Sequence, residues 1–120
     1  MSVQVSPKVL VLIQEDPFKS HRAVEALRIA LGLGSANEGK DVTIVLAGRA
    51  PHLLSDDTTN IVDAEILEKH LPVFIEWGTS FAIASDAERP AQFHSECAIR
   101  TITQGEISSA VAAADRVLVF

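Results

Sequence analysis

The sequence predicts an α/β domain: a mainly parallel five-stranded sheet with helices on both faces. Three observations predict it. The chain carries bare apolar runs, Val9-Leu10-Val11-Leu12-Ile13 near its start and Val117-Leu118-Val119-Phe120 at its close. Runs without polar alternation suit strands covered on both sides. Between them, strand-period and helix-period segments alternate, as in linked βαβ units. With 120 residues, 48% of them hydrophobic, the chain is expected to form a single domain over residues 1–120 whose core needs no disulfide.

The first strand is expected over 8–14. Pro17 then blocks further pairing in the polar loop Gln14-Glu15-Asp16-Pro17-Phe18-Lys19. Ser20 can cap a helix over about 21–36, because its hydroxyl accepts a first-turn N–H. Ala23, Leu27, Ala30 and Leu31 recur at helical spacing and should face the sheet, leaving Arg22, Glu25 and Arg28 in solvent. Gly32, Gly34 and Gly39 punctuate the return to a second strand over 42–47. Asp56, Asp57, Thr58 and Thr59 offer caps for a helix over about 59–71, with Ile61, Ala64, Ile66, Leu67 and Leu71 toward the core. Pro72 marks a break there, or the first turn of a continuation to Trp77 that stops at Gly78. The third strand is Ser80-Phe81-Ala82-Ile83-Ala84. After the polar stretch 85–92, a short helix is expected over about 91–98 and a short fourth strand over 99–103, broken by Gln104-Gly105. Ile107, Ala110, Val111 and Ala114 share one helical stripe before the last strand. The count is five strands and four helices.

The formal charge is −6 and the isoelectric point near 5.1. No cluster of Lys and Arg appears, so no nucleic-acid partner is expected. No apolar run approaches the roughly 20 residues that span a bilayer, so no membrane association is expected. Cys97 is the one cysteine, which excludes an internal disulfide and suits a reducing compartment. Met1 to Pro7 lacks the basic start and apolar stretch of a signal peptide. A cytoplasmic protein is expected.

Several familiar sites are excluded. Gly32-x-Gly34 imitates a dinucleotide fingerprint but falls at the end of a helix, where glycine serves as a stop. Glu15 and Asp16 would repel a phosphate. A phosphoacceptor domain needs an acidic pair after its first strand, which they supply, and an aspartate after its third, near Asp86. It also needs a lysine after its fifth, where Phe120 ends the sequence. His94-x-x-Cys97 is half a metal site, but His21, His52 and His70 are scattered and no second cysteine exists, so no metal and no cofactor are expected.

Three segments resemble the DsrE/DsrF-like (TusD/TusC-like) sulfur-relay family. They are Lys8 to Ile13 followed by Ala23-x-x-x-Leu27-x-x-Ala30, the return Gly39-Lys40-Asp41-Val42-Thr43-Ile44-Val45-Leu46, and the ending Ala112-Ala113-Ala114-Asp115-Arg116-Val117-Leu118-Val119-Phe120. The likeness spans almost the whole chain. The resemblance implies a flavodoxin-like fold and assembly into homo-oligomers, trimers or hexamers. It also implies a link to sulfur transfer, either as a persulfide carrier that hands sulfur to a partner carrier protein or as a subunit without the cysteine. In the sulfur-carrying members the working cysteine sits at or just after the third strand. Ala84 stands at that position here, or Ser85 with a one-residue slip, and neither can hold a persulfide.

Cys97 is therefore the only candidate nucleophile. Arg100 and His94 would flank it in a helical segment and favour a thiolate, while Glu96 opposes one. The competing role is a small buried hydrophobe. The candidate ligand-binding residues are Asp16 after the first strand, Arg49 and His52 after the second, Ala84, Ser85 and Asp86 after the third, and His94. They follow the rule that open α/β sheets bind ligands at strand carboxyl ends. The alternative to sulfur transfer is a non-enzymatic oligomeric module that holds a small ligand there. Phe74 and Trp77 suit the core or a subunit interface.

Overall fold

The computed structural model describes residues 7–120; Met1 to Ser6, part of the segment read above for a targeting signal, lie outside it. Strands Val9–Ile13 (β1), Val42–Leu46 (β2), Ser80–Ala84 (β3), Ala98–Ile102 (β4) and Arg116–Val119 (β5) form one sheet. Their order is β4-β3-β2-β1-β5, and every neighbouring pair is parallel. The helices are Arg22–Gly34 (α1), Ala64–Trp77 (α2) and Gln104–Ala113 (α3), with short 3-10 turns at Ser35–Asn37 and Ala50–Leu54. The arrangement is flavodoxin-like α/β, as the sequence predicts.

The chain steps from β1 to β2 to β3 in one direction, so right-handed crossovers place α1 and α2 on the same face. There Ala23, Leu27, Ala30, Leu67, Leu71 and Phe74 pack on Val11, Ile13, Ile44, Leu46, Phe81 and Ile83. Each such fully buried large side chain contributes about 1.5–3 kcal/mol. The return from β4 to β5 runs the other way and carries α3 across the opposite face. A smaller cluster forms there, Leu10, Val45, Ala82 and Ile102 beneath Ile107, Ala110 and Ala114. No residue of α3 is buried. Val117 and Val119 stay 36% and 56% exposed, so the last strand is covered on one face only.

The strands and their caps follow the sequence closely. The Ser20 hydroxyl accepts the Arg22 N–H at 3.1 Å, and Glu25 pairs with Arg28. Gly78 stops α2 with φ +71°. The helices depart in three places. The helix expected over 91–98 does not form. That segment is pinned along residues 54–56 instead, with Asp56 N–H on the Gln92 carbonyl at 2.9 Å, His94 N–H on the Leu54 carbonyl at 2.7 Å and a bridge between Ser55 and Phe93. Tertiary backbone bonds and the burial of Phe93 outweigh a weak local propensity. α2 starts later than expected, because Asp57 spends its carboxylate on the Thr59 N–H and hydroxyl, and it runs straight through Pro72. α3 starts earlier: Gln104 and Gly105 form its first turn under a capping box, with Thr103 Oγ1 accepting Glu106 N–H and Glu106 Oε1 accepting Thr103 N–H, both at 3.1 Å.

Candidate functional site

The carboxyl ends of β1, β2 and β3 bring together three of the sequence-predicted residues. Asp16 stands in the loop after β1, where its Oδ1 accepts the Phe18 N–H at 2.9 Å. Arg49 follows β2 and reaches back, with Nη1 on Asp16 Oδ2 at 2.7 Å. Its Nε donates to Glu88 Oε2 at 2.9 Å, and its guanidinium lies 4.9 Å from the centre of the Phe18 ring. His52 Nε2 lies 2.5 Å from the same Glu88 oxygen, so that nitrogen carries the proton. The His52 ring also meets Phe18 edge-on at 5.0 Å.

The cluster is electrostatically closed. Bonds from Arg49 first, then His52, hold the Glu88 carboxyl below its ordinary range. Burial pushes Asp16 upward, but the Phe18 N–H and the Arg49 guanidinium outweigh it, leaving the carboxyl lowered. Arg49 is raised in turn by Glu88 and Asp16. Two carboxylates satisfy one guanidinium, so the group ties three loops together and is not an open anion receptor.

Beside this rim lies a cavity of about 230 Å³ lined by Leu12, Gln14, Ala47, Gly48, Asp86, Gln104 and Ile107. Gly48 joins the two features. Its φ of +60° turns the chain out of β2, and its carbonyl accepts the Glu88 N–H at 2.8 Å. A Cβ there would sit 3.1 Å from the Gln14 carbonyl oxygen. Asp86 Oδ1 accepts the Gln104 amide at 3.0 Å. No hydrogen bond engages the Gln14 side-chain amide among the described residues, so it is available to a ligand. Ala84 is fully buried. Ser85 is exposed, and its N–H is bonded to the Ile102 carbonyl.

Two predicted residues lie elsewhere. His94 lines a separate cavity of about 210 Å³ with Ser55, Leu67 and Leu71, and its Nδ1 accepts the Glu96 N–H at 3.2 Å. Cys97 immediately precedes β4, whose Ala98 pairs with Ser80, the first residue of β3. The thiol is thus at the amino end of the sheet, opposite Ala84 and Ser85. It packs against the main core, and the segment is not helical, so His94 and Arg100 do not flank it as a helix would require. Burial first, then the Glu96 carboxylate, pushes the thiol up to about 11.

Sequence reasoning missed Glu88, Phe18, Gln14, Gly48 and Gln104. Glu88 hides in a polar stretch with no periodicity. Gly48 carried a readable signal, a lone glycine at the end of an apolar strand. Among the described residues, no group of three or more His, Cys, Asp or Glu is placed to hold a metal ion, and no helix is long and apolar enough to cross a membrane.

No protein-family model matches the sequence, and comparison with curated proteins finds no match. Among solved structures, the chain is similar to the crystal structure of the ychN protein from E. coli, with a TM-score of 0.72 and 15% identity, over 96% of this chain and 100% of that one. That protein has a DsrE/DsrF-like fold. The likeness shows a shared fold.

Proposed function

We propose that the chain is a DsrE/DsrF-like subunit of a cytoplasmic sulfur-transfer system that works without a cysteine of its own. In this reading it holds a small ligand in the cavity at the strand carboxyl ends and assembles with further copies of itself, as a trimer or hexamer. The observation that carries the reading is the placement of Cys97. The thiol lies at the opposite end of the sheet from the cavity, half-buried. With the thiol at about 11, about one molecule in ten thousand is thiolate at pH 7. Sulfur transfer requires the thiolate as nucleophile, so the carrier branch has little chemical support. Ala84 and Ser85, at the carboxyl end of β3, supply no thiol in its place.

The cavity itself suits a small uncharged or cationic molecule. Asp86 is its one charged lining residue, and Arg49 is neutralised by its two carboxylates. Assembly is supported by α3, a helix with no buried residue, and by the exposed valines of β5 beside it. Helices in proteins draw most of their stability from packing; α3 rests on the sheet through Ile107 and Ala110 without burying any residue fully, and a second copy would cover more of it.

Intact mass after incubation with a persulfide donor, with Cys97→Ser alongside, tests the reading. The expected result is no gain of sulfur by the native protein. A gain of one sulfur atom, reversed by reductant and absent from Cys97→Ser, would instead make the protein a carrier that passes sulfur to a partner thiol.

A further inference from the structure

The opposite end of the sheet holds a second polar cavity. It measures about 230 Å³ and lies at the amino ends of β2 and β3, where Lys40, Thr43, Trp77, Thr79, Ser80 and Arg100 line it together with Glu38 and the glycines 39 and 78. We propose that this cavity binds a small oxyanion group, a phosphate or sulfate, between Lys40 and Arg100.

Three features carry the assignment. First, neither the Lys40 ammonium nor the Arg100 guanidinium makes a hydrogen bond or ion pair among the described residues, in a chain whose net charge is −6. The carboxylates around them are mostly committed elsewhere. Asp41 holds Lys8 at 2.9 Å and Asn37 at 3.0 Å. Glu106, close enough to feel Arg100, is spent in the capping box of α3. Among the residues that line the cavity, Glu38 is the one carboxylate beside the two cations. Second, the Thr79 hydroxyl is sealed from solvent and has no partner. A buried hydroxyl without a partner is unfavourable, and Thr79 is one of the residues that line the cavity. Third, the Trp77 indole N–H is also uncommitted, while its ring is held edge-on to Phe74 at 5.7 Å.

The carboxyl end of α2 points here, and a helix C-terminus disfavours anions by about half a charge. Its last carbonyls are already engaged, by Gly78 N–H on Ile75 and Thr79 N–H on Phe74, both at 3.0 Å. The lining itself carries two cations against the one carboxylate of Glu38, with Glu106 outside it facing Arg100. Thr43 and Arg100 also wall an open groove of about 630 Å³ running along α3 toward Ser109 and Ala110. The body of a phosphate ester has room there while its phosphoryl end sits between the cations.

Trp77 is the one tryptophan, and the chain has no tyrosine, so intrinsic fluorescence reports on this cavity directly. The test is a titration with inorganic phosphate and, separately, with glycerol 3-phosphate, at ionic strength matched by chloride. Calorimetry on the same samples makes the test independent of the ring's response. The expected result is saturable binding of at least one probe with a Kd of about 1 mM or tighter, weakened at least tenfold in Lys40→Gln and in Arg100→Gln. Both variants change exposed side chains and should keep the wild-type circular dichroism. Thr79→Val should also bind more weakly while unfolding no earlier than wild type, since it removes an unpaired hydroxyl at nearly constant shape. Binding of phosphate alone would identify a free ion as the ligand, and binding of the ester alone would identify a larger phosphorylated molecule. Heat and fluorescence that stay flat with both probes, or binding that survives unchanged in Arg100→Gln, would overturn the proposal.

Discussion

Arg49 Nε and Glu88 Oε2 meet at 2.9 Å across 39 residues of sequence, and this bond joins the turn after β2 to the loop after β3. Because the Glu88 carboxyl is held below its ordinary value of 4.5 by Arg49 and His52, its contribution to stability is present at neutral pH. It is lost as pH falls through the lowered folded value. Glu88→Gln should therefore unfold at lower denaturant than wild type at pH 7, and the two curves should converge as pH falls below the ordinary carboxylate range. The effect is small, since the pair is solvent-exposed. Urea melts at several pH values measure it, and a gap that widens toward acid would contradict this account.

Gly48 makes a stronger demand on the backbone. Gly48→Ala places a Cβ at φ +60° and 3.1 Å from a backbone oxygen of the neighbouring strand end. Neither strain can be relieved by a side-chain rotation. The substitution should cost about 1–3 kcal/mol, seen as a drop of several degrees in thermal midpoint. The turn carries both Arg49 and the cavity wall, so ligand binding at the strand carboxyl ends should weaken as well. A thermal midpoint equal to wild type would mean that the turn relaxes freely.

The thiol offers a test of its own environment. With Cys97 pushed up to about 11 by burial and by Glu96, its alkylation in the native protein should climb about tenfold per pH unit between 7 and 10, without a plateau. Glu96→Gln should speed the reaction modestly at fixed pH, because it removes the smaller of the two causes. A plateau near pH 8 would show an activated thiol and reopen the carrier role.

How much of this was legible follows from what each feature depends on. The five strands were readable because apolar runs such as Val9 to Ile13 leave few other structures open. Ala23, Leu27 and Ala30 declared the buried side of α1 by spacing alone. The segment 91–98 was not readable, since its form depends on backbone bonds to residues 54–56 that no local pattern encodes. The site divides the same way. Asp16, Arg49 and His52 were found because each follows a strand, and strand ends converge in a parallel sheet. Glu88, their shared partner, sits mid-loop and becomes visible only once the loops meet. Cys97 was ambiguous because its neighbours fit a thiolate as well as a small buried side chain, and only the pairing of Ala98 with Ser80 puts it at the amino end of the sheet.

The remaining prediction concerns β5. Its register with β1 sets Leu118 opposite Val11 and Val119 opposite Leu12, so Leu118 joins the core while Val117 and Val119 face the side crossed by α3. That helix covers Leu10 and Leu12 through Ile107, Ala110 and Ala114 but leaves the two valines open, with Val111 of α3 also exposed. An exposed β-branched strand face beside an under-packed helix is a surface that a second copy can bury. Val119→Glu changes a side chain that is 56% exposed, so the subunit should keep its fold and its circular dichroism. In the assembled state the same change would bury a carboxylate without a partner, a severe penalty at an interface. Light scattering after size exclusion should then show wild type as a multiple of 12.9 kDa and Val119→Glu as the single subunit. If wild type already runs as the single subunit, the open face of β5 is not a self-association surface and the oligomeric part of the proposed function falls with it.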